Sequence, residues 1–526
     1  MNKEFVKRNT EAHGWLGLII SGLLFVVFFT GAISFFREEV QLWATSAHIE
    51  SISLEGQEII PVSQILEIAI AGRDFNAREH LTIYPPSHLE PYYTAYVDLV
   101  DRGGGEKVDA LLIHPVSGDI IGDPNDFYLS SFLYIVHYSL NIPFGSYLIG
   151  FVALFFLFSI FSGVLIHAAD FFKGFFRYRA DGRKRSQLLD LHNIIGVISL
   201  PYTLMFAVTG LIFNLVIIYQ IAFGVILYKG DLDALLTDAG FVTVTPEWQA
   251  EPWSNPPVDE LYQQSIDTWG GVPSQMRVYN YGDSSAVLEF YGPVEDEFAG
   301  QFGVAYNVSD RSEVFSENRN DPNAVSAGLD VVATLHYGSF GGLGLRFLYL
   351  ILAMGVCALI VTGNLLWVGA REKTMSSAKL NFVGRFTLAS TAGVAVATIF
   401  AFIAERLLPI GGYDRASYLS YAFVIALVSA SSYIWLAADR RKVLVRLLQV
   451  FTGACFFLLL VDLVLYSSNL MQYVKNGFFA PVGVDVGILV SAVLGAYVSI
   501  KLQGRLSSIS NKEKNNFAPE FPETVN

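Results

Sequence analysis

Apolar positions in this chain run in blocks far longer than a globular fold uses. Stretches able to cross about 30 Å of hydrocarbon occupy residues 15–36, 146–168, 194–227 and 347–368, and four more lie near 382–403, 418–438, 443–467 and 484–502. Eight spans put both termini on one side of a membrane. Two long polar segments interrupt the pattern, and within them the period changes. Residues 63–71 read as a helix, and 95–99 and 109–113 alternate as strands about the 101–107 turn, with a third strand beginning near Ile120. The second segment repeats the theme more faintly, with strand-like runs at 276–279, 286–290 and 303–307. The predicted fold is therefore mainly α and polytopic, with about eight transmembrane helices and two small α+β insertions.

The corresponding division is a first span at 1–36, an insertion with an amphipathic helix at 37–143, a second span at 144–169 and a basic loop at 170–191. It continues with a third span at 192–228, a second insertion at 229–340, a fourth span at 341–369, four further spans within 380–505 and a polar tail at 506–526. The first apolar run is too long for a signal peptide and no small-residue cleavage site precedes Arg37-Glu38-Glu39, so it reads as a retained span.

Composition agrees, at 53% hydrophobic residues in 526. Charge then gives orientation. Lys3, Lys7 and Arg8, the loop from Lys173 and Arg177 to Arg185, Arg371 with Lys373, Arg440 to Lys442, and Lys501 with Arg505 all fall on one side, which is expected to be cytoplasmic. The two insertions then face outward, away from the cytoplasm. The second is strongly acidic, with 18 Asp and Glu against 4 Lys and Arg between Lys229 and Asp330. A net charge of -14 argues against nucleic acid as a partner and leaves membrane lipid as the surrounding medium. The two cysteines, Cys357 and Cys455, lie inside predicted spans, so neither a disulfide framework nor a Cys-x-x-Cys-His attachment site exists.

Four histidines carry the candidate chemistry. His13, His137, His192 and His336 each precede an apolar run containing Thr-Gly or Ser-Gly. The spacing from His13 to Thr30-Gly31 equals that from His192 to Thr209-Gly210, and His137 to Ser162-Gly163 almost equals His336 to Thr362-Gly363. This is an internal duplication of a helix pair. With the N terminus inside, His13 and His192 fall at the inner face, and His137 and His336 fall at the outer face. Each pair is expected to ligate one haem b through its iron, giving two noncovalently held haems. His167 closes the second span on the inner side and is a further cofactor-binding candidate: it replaces a partner, serves a third cofactor or assists proton transfer. Arg8, Lys173, Arg177 and Arg346 are candidates for the haem propionates, and Asp462, deep in the seventh span, for a proton or ion path. Glycines such as Gly14, Gly22 and Gly31 would admit a porphyrin or a neighbouring helix. His48, His80, His88 and His114 read as surface or packing residues.

A family resemblance rests on Ser162-Gly163-Val164-Leu165-Ile166-His167, the aromatic and basic loop around Phe171 to Arg179, and Leu189-Asp190-Leu191-His192-Asn193 with Gly196, Leu200-Pro201 and Thr209-Gly210. These closely resemble the PepSY-associated transmembrane family over about residues 10–370, and His114-Pro115-Val116-Ser117-Gly118-Asp119 resembles the end of a PepSY domain. The family includes bacterial inner-membrane proteins of iron acquisition, among them di-haem reductases of ferric siderophores. The resemblance thus implies a redox role, with a ferric chelate or siderophore as substrate. Similar proteins often carry a histidine after the proline of the third span, where this chain has Tyr202-Thr203. No phosphate loop, Gly-x-Gly-x-x-Gly or His-Glu-x-x-His is present, so electrons must come from a separate donor, a quinol or a cytoplasmic reductase. Two other readings remain at this point: a transporter or permease for iron, haem or a siderophore, and a binding or regulatory protein acting through its PepSY modules.

Overall fold

In the computed structural model, the residues described are 3–100, 107–167, 178–215, most of 221–316, 324–411 and 414–516. Helix α1 (Lys3–Ser34) is one unbroken span. A short amphipathic helix, α2 (Arg37–Thr45), follows α1 with most of its residues buried, and α3 (Val62–Ile70) begins the first insertion. After that insertion come α4 (Leu129–Ser139) and the span α5 (Gly145–His167). The third span is not one rod. It is broken into α6 (Lys184–Ile198) and α7 (Leu200–Asn214), which meet at 64°. Pro201 is the cause: it lacks an N–H, and its ring excludes the carbonyl one turn earlier. The described helix ends at Asn214, short of the predicted 228, and residues 216–220 lie outside the described set.

The second insertion contributes α8 (Val258–Trp269) and ends in α9 (Ala324–Tyr337), which leads to the span α10 (Gly342–Arg371). The C-terminal bundle contains α11 (Ser377–Leu388) and α12 (Val394–Leu407), joined by a π-helical turn at Ala389–Gly393, then α13 (Arg415–Leu436). It closes with α14 (Arg440–Val461) and α15 (Ser467–Lys475), joined by a second π-helical turn at Asp462–Tyr466, and α16 (Ala480–Asn516). Among the described residues, seven helices are long and apolar enough to cross a membrane, eight if the bent pair counts as one span.

The two insertions build a single sheet. Strands β1 (Leu81–Tyr84), β2 (Tyr93–Leu99), β3 (Lys107–Ile113) and β4 (Ile120–Gly122) come from the first, and β5 (Gln275–Tyr279), β6 (Val287–Pro293), β7 (Gln301–Asn307) and β8 (Glu313–Ser316) from the second. The order is β4-β3-β2-β1-β5-β6-β7-β8. An antiparallel seam, with Leu81 opposite Val278 and Ile83 opposite Met276, makes the two modules continuous. One face, including Leu81, Ile83, Met276, Val278 and Phe290, is fully buried under α3 and α8. The alternate positions Tyr84, Thr94, Tyr96 and Leu112 face the membrane helices, so the sheet roofs the cavity between them.

In the membrane, α1 is the central element and packs against α4, α5 and α10. Gly22 lets α11 approach, since a Cβ there would lie 2.5 Å from the Phe386 ring. Asn364 adds a buried polar tie, donating to Ser21 Oγ at 3.1 Å and to Thr387 Oγ1 at 3.0 Å, which joins α10 to α1 and α11.

Candidate functional site

The structure brings the four histidines together as two pairs. His13 on α1 and His192 on α6 have ring centres 6.3 Å apart, with planes at 80°. His137 on α4 and His336 on α9 have ring centres 6.2 Å apart, with planes at 47°. Metal–imidazole bonds are about 2.0–2.1 Å. Adding about 1.1 Å from nitrogen to ring centre on each side, two imidazoles on one ion have centres about 6 Å apart. Both pairs have that spacing. Gly31 touches His137 and shares α1 with His13, so a rise of about 1.5 Å per residue sets the pairs about 27 Å apart along that helix, close to the thickness of the hydrocarbon.

Each ring is oriented through Nδ1. His336 Nδ1 lies 2.7 Å from Thr209 Oγ1, His192 Nδ1 3.1 Å from Thr362 Oγ1, and His13 Nδ1 3.1 Å from Ser162 Oγ and 3.0 Å from the Ser159 carbonyl. His137 Nδ1 is 2.8 Å from the Val27 carbonyl. A carbonyl can only accept, so the Ser159, Val27 and Leu359 carbonyls place the proton of His13, His137 and His192 on Nδ1 and leave their Nε2 lone pairs for a ligand. At His336 the Thr209 hydroxyl bridges Nδ1 and the Met205 carbonyl. Fixing a ligating imidazole through its second nitrogen is the usual support of a metal site.

The duplicated dipeptide now has a physical role. A histidine docks not on the Thr-Gly or Ser-Gly of its own helix but on that of the antiparallel neighbour: His13 on Ser162-Gly163, His137 on Thr30-Gly31, His192 on Thr362-Gly363 and His336 on Thr209-Gly210. In an antiparallel pair, the start of one helix is level with the end of the other. Glycine admits the ring: a Cβ at Gly31 would stand 2.6 Å from His137, and at Gly163 and Gly363 3.2 Å from His13 and His192. Gly210 differs, since a Cβ there meets nothing within 4 Å. Thr30 differs too, because its hydroxyl bonds only the Val26 carbonyl and leaves His137 to the backbone.

A cavity of about 980 Å³ contains His137 and His336 and continues to the underside of the sheet. Its membrane end is apolar, with Leu24, Phe28, Val152, Phe156 and Phe206 in the wall. Its outer end is polar and rich in phenols, including Tyr84, Tyr96, Tyr134 and Tyr337; the hydroxyls of the last two are 3.2 Å apart. Arg37 also lines this end, 4.8 Å over the Tyr134 ring. Burial raises the Glu90 carboxyl above its ordinary range, and nearby Glu38 adds to the shift while Arg37 partly offsets it.

Other sequence candidates fall elsewhere. His167 belongs to neither pair; it hydrogen-bonds Asn193, next to His192. Arg346 lines the cavity but is ion-paired with Glu39 at 2.8 Å, and Arg8 pairs with Glu4 at 2.6 Å on the surface. Lys173 and Arg177 lie outside the described residues. Asp462 is not a free acid but pairs with Arg406 at 2.7 Å. Arg37 was not singled out by sequence, because a basic residue just after a span reads as an interfacial anchor. Among the described residues, no three His, Cys, Asp or Glu side chains converge as a metal site.

Comparison with known proteins agrees with this architecture. The family described as the PepSY-associated TM region matches residues 10–370. An uncharacterized protein of Pseudomonas aeruginosa is 23% identical over 288 residues, covering 52% of this chain and 72% of that protein.

Proposed function

The chain belongs to the PepSY-associated transmembrane family, and from that premise we propose that it is a di-haem b-type oxidoreductase of a bacterial inner membrane, passing electrons outward to a ferric chelate. The observation that carries the reading is the two imidazole pairs, with ring centres 6.3 and 6.2 Å apart and every ring held through Nδ1. Two protein ligands per centre are too few for a bare ion, and they suit a macrocycle that fills the remaining positions itself. His13 with His192 would hold the inner haem and His137 with His336 the outer one. Held by two imidazoles each, such groups would supply one-electron transfer rather than oxygen binding.

The protein's own residues do the rest. Paired imidazoles at two depths would give two redox positions, and the cationic loops support a cytoplasmic His13 side, where a quinol or soluble reductase would donate. The sheet covers the outer pair on the periplasmic side and limits approach to the polar end of the cavity, where Arg37 offers a positive charge to an anionic chelate. One electron converts Fe(III) to Fe(II), which binds hard oxygen ligands more weakly and so leaves the chelate. Haem content of single variants tests the assignment: His336→Ala should remove the outer haem and His192→Ala the inner one, each leaving about one haem per chain. Full haem content in both variants would refute it.

A further inference from the structure

The C-terminal bundle contains no histidine, yet it makes a buried, charged contact with the elements around the outer pair. Helix α4, which carries His137, has no side-chain cap from its own N-terminal flank. Its first N–H groups need acceptors from elsewhere. Glu405 on α12 supplies one, its Oε2 accepting the Leu129 N–H at 3.1 Å while Oε1 pairs with Arg415 on α13 at 2.8 Å. Both side chains are about 2% exposed or less. A carboxylate there also faces the positive end of the helix dipole. Glu405 thus stands at one end of an eleven-residue helix, and His137, about 12 Å along it, stands near the other.

The neighbouring residue holds the second wall of the cavity. Arg406 donates to the Trp43 carbonyl at 2.6 Å and the Ala44 carbonyl at 3.3 Å, in the last turn of α2, and its guanidinium lies 3.5 Å over the Trp43 ring. Trp43 Nε1 in turn donates to Asp485 on α16 at 2.9 Å, and Asp462 balances Arg406 from the π-helical turn. Gln41 Oε1 then accepts from Ser130 Oγ at 2.5 Å and ties α2 to α4. Residues 405 and 406 therefore grip, from one point of α12, the helix bearing an outer ligand and the helix bearing Arg37.

We infer that Glu405 is a positioning residue for the outer centre, and that the C-terminal bundle serves to fix α4, and through it His137, against His336. This rests on the haem reading above. Two variants of the full-length protein test it. Glu405→Ala removes both charge and acceptor, whereas Glu405→Gln keeps an oxygen for the Leu129 N–H. Electron paramagnetic resonance and redox titration should show Glu405→Ala altering or losing the low-spin signal that His137→Ala removes, leaving the inner signal unchanged, while Glu405→Gln, which also leaves Arg415 without its ion pair and so melts lower, keeps both signals close to wild type. Unchanged signals and potentials in Glu405→Ala would overturn the inference, as would equal disturbance of both centres. If Glu405→Ala does not accumulate, Glu405→Asp, whose oxygens retreat by one methylene, is read against the same two outcomes. Hydrogen exchange of residues 129–139 gives a haem-independent readout: exchange should rise at least tenfold in Glu405→Ala while α5 keeps its protection. A wild-type protein without haem would defeat the haem reading, and this exchange result would still judge the clamp.

Discussion

Replacing Thr209 by Val exchanges a hydroxyl for a methyl of nearly equal size at a position only 4% exposed. Packing is preserved, and the change removes the hydrogen-bond partner 2.7 Å from His336 Nδ1. No other hydrogen bond to that ring is present among the described residues. A buried polar atom left unsatisfied costs about 1–3 kcal/mol, and losing a supporting partner of a metal-ligating histidine typically costs about 10–100-fold in affinity. The outer haem should therefore transfer to an excess of a haem-scavenging apoprotein about 10–100-fold faster in Thr209→Val, with the inner haem unaffected. Two matched substitutions sharpen the test. Thr362→Val should have a smaller effect, on the inner haem, because His192 keeps a bond to the Leu359 backbone. Thr30→Val should have none, since the Thr30 hydroxyl turns to its own helix. Equal rates in wild type and Thr209→Val, or a Thr30→Val effect as large as that of Thr209→Val, would refute the argument that these hydroxyls orient the ligands.

The glycines and the buried charges give two more expectations. Gly31→Ala, whose Cβ would stand 2.6 Å from His137, should displace that ring at a cost of about 1–3 kcal/mol and deplete the outer haem, whereas Gly453→Ala, on the exposed face of α14 with nothing within 4 Å of its Cβ, should retain it; haem per chain distinguishes them. Asp462→Asn leaves the Arg406 guanidinium buried without its ion pair, and breaking such a pair costs about 3–5 kcal/mol, so the detergent-solubilised variant should melt well below wild type. A melting temperature within a degree of wild type would contradict that accounting.

The spans were legible because hydrophobic length alone identifies them, and the histidine pairs because a duplicated spacing on antiparallel helices fixes which ends meet. The break in the third span was legible in principle: Pro201 stands inside it, but membrane helices often tolerate proline, and length outweighed it. The seam joining the insertions was not. Strand β1 has four residues, and its pairing with β5 spans nearly 200 positions that no local pattern encodes. The Thr-Gly and Ser-Gly dipeptides were visible as a repeat, yet their function emerged only when each was seen beneath the histidine of another helix. Arg37 and the grip of Glu405 and Arg406 on α2 and α4 depend on tertiary placement, and a buried charge in a sequence reads only as an expensive residue in need of a partner.

The central claim is that these two imidazole pairs are ligand sets for haem. A reduced-minus-oxidised absorption spectrum of the purified protein, with haem quantified per chain, tests it most directly. About two low-spin b haems per chain, both reversibly reducible, are expected. Protein purified from haem-sufficient cells without stoichiometric haem would contradict the account.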